Sequence, residues 1–204
     1  MKPQWVTLGI LLTLAVALTL AAARFAYLPG DVSVTRFVQS LAGKHVGWAQ
    51  AATTSARSPW NFLVLAVSVV VSWWLAGWRG VLAAAISFGG MWLLGDWLKE
   101  VVRRPRPAAS LVRVVGASSG YSYPSTFALT YGSTVGYLAV LAFYRRAGKL
   151  RSGLLLVCGL ILLIGGAARV VLGAHWPSDV LGAYLISLVW AALLVQLIHP
   201  SRKT

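Results

Sequence analysis

Six apolar runs of roughly twenty residues organise this chain, at about 5–23, 60–78, 81–98, 124–144, 152–172 and 177–198. A run of about 20 apolar residues matches the ~30 Å hydrocarbon core when coiled as a helix. In hydrocarbon every backbone N–H and C=O needs a partner, and a helix supplies all of them within one segment. Composition agrees. Of 204 residues 58% are hydrophobic and 11% charged, against roughly 25% charged in soluble domains, and mean hydropathy is +0.76. The expected fold is all-α: an integral membrane bundle of six transmembrane helices, with residues 1–204 as a single domain and no internal repeat or low-complexity tract.

The connections add detail. The first run follows Lys2 and ends in Ala21-Ala22-Ala23, which mimics a signal-peptide cleavage site. Its 19 residues exceed the about 7–15 of a signal h-region, so it reads as an uncleaved span. Residues 24–59 are polar, but Val34, Phe37, Val38 and Leu41 recur at helical spacing. They predict a short interfacial helix over about 33–48. His45 within it reads as solvated or structural. Arg79-Gly80 reads as the tight turn between the second and third runs. Pro124 suits a helix start, where its missing N–H costs nothing. Gly132 and Gly136 form a GxxxG suited to close packing in the bundle, with dimerisation as its second use. Cys158 lies in an apolar run and reads as a small core hydrophobe. Trp5, Trp48, Trp60, Trp78 and Trp176 lie near segment ends, as in an interfacial belt, and His199 lies in the polar tail.

The net charge is +14, from 18 Lys and Arg against four acidic residues. Basic residues split among short loops anchor spans to anionic headgroups. No soluble part remains to present a nucleic-acid groove, so nucleic acid is not an expected partner. Six spans place both termini with Arg79, Arg145, Arg146, Lys149 and Arg151. The dense cluster between the fourth and fifth runs marks that side as cytoplasmic, while Arg24, Arg36, Lys44 and Arg57 count weakly the other way.

Three polar clusters fall on the opposite side: KEVVRRPRP from Lys99, YPSTF from Tyr123, and RVVLGAHWPSD from Arg169. Ionisable groups at the mouth of membrane segments are costly and mark function. Lys99, Arg106 and Arg169 together suit a phosphoryl group, since arginine's planar fork matches phosphate oxygens and lysine adds a point charge. Ser125, Thr126 and the N–H groups opening the fourth span add donors. His175 reads as a nucleophile toward phosphorus and Asp179 as its orienting partner. Arg103, Arg104 and Arg113 read as interfacial anchors, with Arg104 an alternative to Arg106. Asp96 and Glu100 read as partners of nearby basic residues, and no further role is assigned to Asp96.

These clusters resemble the type 2 phosphatidic acid phosphatase superfamily of membrane lipid phosphatases. Its first motif is Lys, six residues, Arg-Pro, and Lys99 with Arg106-Pro107 matches. Its third is Ser-Arg, five residues, His, three residues, Asp. Arg169, His175 and Asp179 match, with Ala168 in place of Ser. Its second motif, Pro-Ser-Gly-His, is here Pro124-Ser125-Thr126-Phe127. The resemblance spans the third to sixth runs. It implies a phosphohistidine on His175, an imidazole held by Asp179, and a phosphoryl group held by Lys99, Arg106, Ser125, Thr126 and Arg169. It implies no cofactor and no metal, and the chain shows no His/Asp/Glu cluster to hold one.

Phe127 stands where the family's histidine protonates the leaving oxygen. A general acid is worth about 10²–10⁴-fold. Three accounts fit: an introduced substitution, a natural member with weak or no hydrolysis, or a leaving group needing no acid. The third has a physical basis. A phosphomonoester expels an alkoxide, whereas a diphosphate expels a phosphate whose second pKa is about 6. The expected activity is therefore hydrolysis of a lipid phosphate or diphosphate. Substrates of this kind are an isoprenoid diphosphate such as undecaprenyl diphosphate, phosphatidic acid, or a phosphatidylglycerol phosphate. An inactive binder of anionic lipid and a lipid phosphotransferase are the alternatives, and a transporter is weaker because no inverted repeat is present. The resemblance places the protein in a bacterial plasma membrane with its site on the extracytoplasmic side.

Overall fold

The computed structural model describes residues 3–116 and 118–198. Lys2 and His199, weighed above, lie outside the described residues. Helix α1 (Pro3–Arg24) buries one narrow seam, Leu8, Ala15 and Ala22, and packs on the last helix and on the helix of residues 78–102. Its other large side chains, such as Ile10, Leu14 and Leu20, face outward, as a lipid-facing helix requires.

The polar connection forms two helices, α2 (Asp31–Ala42) and α3 (Gly47–Thr54), rather than one over 33–48. Gly43, with φ of 60°, ends α2. The apolar face of α2 points away from the protein, with Phe37 63% and Leu41 73% exposed, while Asp31, Thr35 and Gln39 are buried. A soluble amphipathic helix does the reverse, so α2 lies with its greasy side in the bilayer and its polar side on the bundle. His45 is exposed in the α2–α3 connection.

Helix α4 (Trp60–Ala76) has 17 residues. It is the shorter sixth apolar helix beside five that are long and apolar enough to cross a membrane. Its buried Ser68 and Ser72 turn inward, while Trp73 and Trp74 are exposed. The turn into α5 is Gly77, at φ of 65°, and not Arg79-Gly80. Gly80 already lies inside α5, where an added Cβ would come 2.4 Å from the Ser72 carbonyl oxygen. Helix α5 (Trp78–Val102) runs past residue 98, so Lys99 and Glu100 sit on its last turn.

The fourth span covers Thr126–Arg145 and comprises α6 (Thr126–Tyr131), a π-helical turn (Gly132–Gly136) and α7 (Tyr137–Arg145). Its N-cap is Ser125, whose hydroxyl accepts from the Ala128 N–H; Pro124 therefore precedes the helix instead of opening it. Gly132 packs against Ser187, where a Cβ would clash, so half of the GxxxG serves close packing inside the bundle. Helix α8 (Gly148–Val171) starts four residues before the expected 152. Helix α9 (Pro177–Ile198) begins at Pro177 as expected. Cys158 is buried in a core with Leu141, Tyr137 and Ala191. Trp5, Trp48, Trp60 and Trp78 are exposed, whereas Trp176 is 1% exposed and belongs to the interior. At the end carrying the dense basic cluster, Arg79, Arg146 and Arg151 lie over Trp78, Trp74 and Phe143, a cation–π arrangement suited to a headgroup layer.

Candidate active site

The opposite end gathers α2, α3, the last turn of α5, the loop of residues 103–125, the start of α6 and the α8–α9 corner. The corner is tight. Gly173 has φ of 62°, and a Cβ there would come 2.2 Å from the Arg113 carbonyl oxygen, so only glycine fits. The Val115 N–H donates to the Leu172 carbonyl, and Gln39 Nε2 donates to the carbonyls of Arg113 and Val171. Arg113 is thus a tie between loop and α2, reaching Gly43 with its guanidinium at 2.7 Å, rather than a headgroup anchor.

His175 lies in this corner, 2% exposed. Its Nδ1 sits 2.7 Å from the Ser122 carbonyl oxygen. A carbonyl only accepts, so Nδ1 carries the proton and Nε2 keeps its lone pair. Nε2 lies 3.4 Å from Nη1 of Arg106. Burial lowers the imidazole pKa to about 4, against the pull of Asp179. The ring is then neutral at pH 6, where an ordinary histidine is largely charged. NMR of ring-labelled histidine, with His175 assigned by substitution, should show no titration of this signal between pH 8 and about 5; a midpoint near 6.5 would contradict the buried neutral ring.

Asp179 is 3.8 Å from His175 Nδ1, beyond a hydrogen bond. The partner that Nδ1 meets at hydrogen-bond distance is the Ser122 carbonyl, with the Asp179 carboxylate behind it. Asp179 occupies the third position of α9, where one oxygen accepts from the Trp176 N–H at 2.9 Å, as in a capping box. The same oxygen accepts from the Ser122 hydroxyl at 2.5 Å, and the other accepts from Arg104 at 2.5 Å. Asp179 therefore fixes the residue whose carbonyl fixes the ring.

Arg104 is the larger correction. It is 1% exposed and bridges two carboxylates, Asp179 and Asp31, the latter at 2.9 Å. It also donates to Ser178 Oγ and to the Phe25 carbonyl. Asp31 in turn accepts from Ser178 N and Oγ and from Leu28 N. Arg103, by contrast, is exposed and faces Glu100 at 4.0 Å. The acids Asp31 and the residues Ser122 and Thr53 were missed by motif reading, because they act through backbone or supporting contacts.

Two of the cationic side chains, Arg106 and Arg169, act on the His175 ring. Arg106 donates to the carbonyls of Ala174, Ser119 and Gly120. Arg169 is 9% exposed, donates to Thr53 at 3.3 Å, and has a buried Nε with no partner among the described residues. Lys99 feels the charges of Arg106, Asp96 and Arg169, and Arg169 feels Arg106 and Arg57. Arg106 and Arg169 beside a neutral imidazole, with Lys99 close enough to feel both, can hold a phosphoryl group and direct it to Nε2. Ser125 is buried as the N-cap and its N–H donates to the Asp179 carbonyl at 3.5 Å, while Thr126 lines a cleft toward α4 and α5. Phe127 is 4% exposed, stacks on Tyr131 at 4.6 Å and packs over Gly165, one helical turn from Arg169 on α8.

Residues 80–203 match the model of the PAP2 superfamily. The chain is 29% identical over 133 residues to phosphatidylglycerophosphatase B of Bacillus subtilis (strain 168), a stretch covering 62% of each protein. It thus spans less than two thirds of that relative's length. It also resembles the crystal structure of a transmembrane PAP2 type phosphatidylglycerolphosphate phosphatase from Bacillus subtilis. The TM-score is 0.69 at 21% identity, covering 93% of this chain and 98% of that one. This second likeness concerns the fold.

Proposed function

We propose that this chain, which belongs to the PAP2 superfamily, is a membrane lipid phosphatase working through a phosphohistidine on His175. The observation that carries the proposal is the His175 ring: Nδ1 is held by the Ser122 carbonyl, and Nε2 opens toward Arg106 at 3.4 Å. The Nε2 lone pair attacks phosphorus, and the bond from phosphorus to the lipid oxygen breaks with its electron pair on that oxygen. Lys99, Arg106 and Arg169 balance charge on the equatorial oxygens. Phosphorylation makes the ring cationic, and the Asp179 carboxylate nearby stabilises that charge. Water then attacks phosphorus, the P–N bond breaks, and inorganic phosphate leaves. The net reaction converts a lipid phosphate and water to a lipid alcohol and phosphate. Trapping with labelled substrate should give an acid-labile, alkali-stable phosphoprotein; labelling on any residue other than His175 would overturn the mechanism.

The substrate is a lipid phosphate or diphosphate, either a phosphatidylglycerophosphate-type or phosphatidic lipid or an isoprenoid diphosphate, and no cofactor takes part. Residues 1–204 act as one unit in a bacterial plasma membrane, with the site extracytoplasmic and the end bearing Arg145, Arg146, Lys149 and Arg151 cytoplasmic. Phe127 leaves the expelled oxygen without a protein acid at that position. Phe127→His should therefore raise monoester hydrolysis about 10²-fold and diphosphate hydrolysis far less. Equal gains on both, measured as phosphate release, would remove the leaving-group reading.

A further inference from the structure

Arg104 and Arg169 are both buried, yet they are held differently. Arg104 lies between two carboxylates, whereas Arg169 has no carboxylate partner among the described residues. Its guanidinium donates to one side chain there, Thr53 of α3, whose Oγ1 accepts from Nη1 at 3.3 Å. A buried cation held by one neutral hydroxyl is uncompensated, which suits a group that takes its anion from the substrate. Such a side chain needs a device that keeps its head in place before the anion arrives, because ordering a loose side chain costs affinity at the moment of binding.

Thr53 is used unlike the other helical threonines. Thr13, Thr35, Thr54 and Thr134 donate their hydroxyls to the carbonyl four residues back in their own segments, a common habit of threonine inside a helix. The Thr53 oxygen instead reaches across to α8. Helix α3 is built to bring it there. Its buried face consists of Ala49 and Thr53, four residues apart and therefore on one side of the helix. Ala49 shares a core with Ala168, Val171 and Leu172, so α3 packs on α8 beside Arg169 through small side chains. Just past the helix, Ser55 Oγ lies 2.6 Å from the Tyr131 hydroxyl of α6. This second tie fixes α3 along its length, and with it the Thr53 oxygen.

Resting on the proposed phosphatase activity, we propose that Thr53 is the positioning residue for Arg169, and that α3 serves to present it. Thr53 acts through the guanidinium and not on the substrate. Its oxygen holds Nη1 and leaves the rest of the fork to the phosphoryl oxygens. That remainder includes Nε, which is buried with no partner among the described residues. An arginine fixed in this way meets the phosphoryl group already aimed, and small displacements of such a group are costly to the rate.

The experiment measures phosphate release by the full chain in lipid–detergent micelles from phosphatidylglycerophosphate, phosphatidic acid and an isoprenoid diphosphate, with inorganic phosphate added as inhibitor. Wild type is compared with Thr53→Val, Thr53→Ala, Thr53→Ser and His175→Ala. Thr53→Val keeps the shape and removes the acceptor. It should lower kcat/KM about tenfold, near the low end for a hydrogen bond to a charged group because this bond is long. Inhibition by phosphate should weaken by a similar factor. Thr53→Ala lacks the acceptor too and carries the same expectation, which keeps the test open if the valine variant does not fold. Thr53→Ser keeps the hydroxyl and should stay within about twofold of wild type. A purely structural role would lower kcat through the active fraction and leave KM and the phosphate inhibition constant unchanged. That result, serine falling as far as valine or alanine, or both of these matching wild type, overturns the positioning role, while release that depends on His175 leaves the phosphatase reading standing. No release from any lipid by the wild type overturns both.

Discussion

Alanine at position 175 should abolish phosphate release from lipid substrates, by at least ~10⁴-fold, the scale on which covalent catalysis is lost with its nucleophile. The structure offers no substitute. The polar atom within hydrogen-bond reach of His175 Nε2 is an Arg106 guanidinium nitrogen, which has no lone pair to offer phosphorus. Ser122 points its hydroxyl at Asp179, and the Ser125 oxygen is buried against the Ala128 N–H that it caps. The substitution also removes the ring that the Ser122 carbonyl holds, so the loop of residues 103–125 loses one tie. Arg104 still fixes that loop through the Ser122 N–H, which donates to the Arg104 carbonyl at 2.8 Å. The variant should therefore fold, and it should give no phosphoprotein in the trapping assay. Retention of a tenth of wild-type turnover would place the nucleophile elsewhere. Arg106→Ala should lose less, because Lys99 and Arg169 still hold the phosphoryl group.

Most of the bundle was legible because membrane helices announce themselves by length and apolarity. The interfacial helix was legible for a different reason: its periodic apolar face is real, although it turns to lipid rather than to the core. Three things were not legible. The run at 81–98 stopped too early and the run at 152–172 began too late, because polar residues such as Lys99 and Lys149 continue a helix once its apolar part is placed. Ser125 and Thr126 were assigned to phosphate as donors at the start of the fourth span, and nothing in a sequence says that the Ser125 hydroxyl also accepts from the Ala128 N–H as a cap. Arg104 and Arg106 sit two residues apart in a stretch where α5 ends at the left-handed Arg103, and no periodicity survives that break. Composition held a usable signal for the missed network. With only four acids among 204 residues, each was worth asking for a partner, and Asp31 would have pointed to a buried cation.

Replacing Arg104 by alanine should destabilise the protein by about 3–5 kcal/mol, the cost of breaking a buried ion pair by removing one partner. Its guanidinium is fully buried between two carboxylates whose own exposure is 3% or less. Without it, Asp31 and Asp179 face each other's charge in a low-dielectric site, with Ser178 between them. One must take up a proton or the α2–α9 junction must open to water. Arg104→Lys should recover only part of the loss, since an ammonium cannot bridge both carboxylates in the plane that the guanidinium spans. Thermal unfolding in detergent should show the order wild type, Lys, Ala. A double variant with Asp31→Asn should lose less than the sum of the two single changes, because each removes the same contact. Activity should fall with stability but not in proportion. Opening the junction moves Asp179, Asp179 holds Ser122, and Ser122 holds the ring, so kcat should drop while KM changes little. A variant within about 1 kcal/mol of wild type would mean that water already reaches this network, as it does for exposed pairs. The catalytic imidazole would then need some other support than the chain of contacts from Asp31 through Arg104 to Asp179.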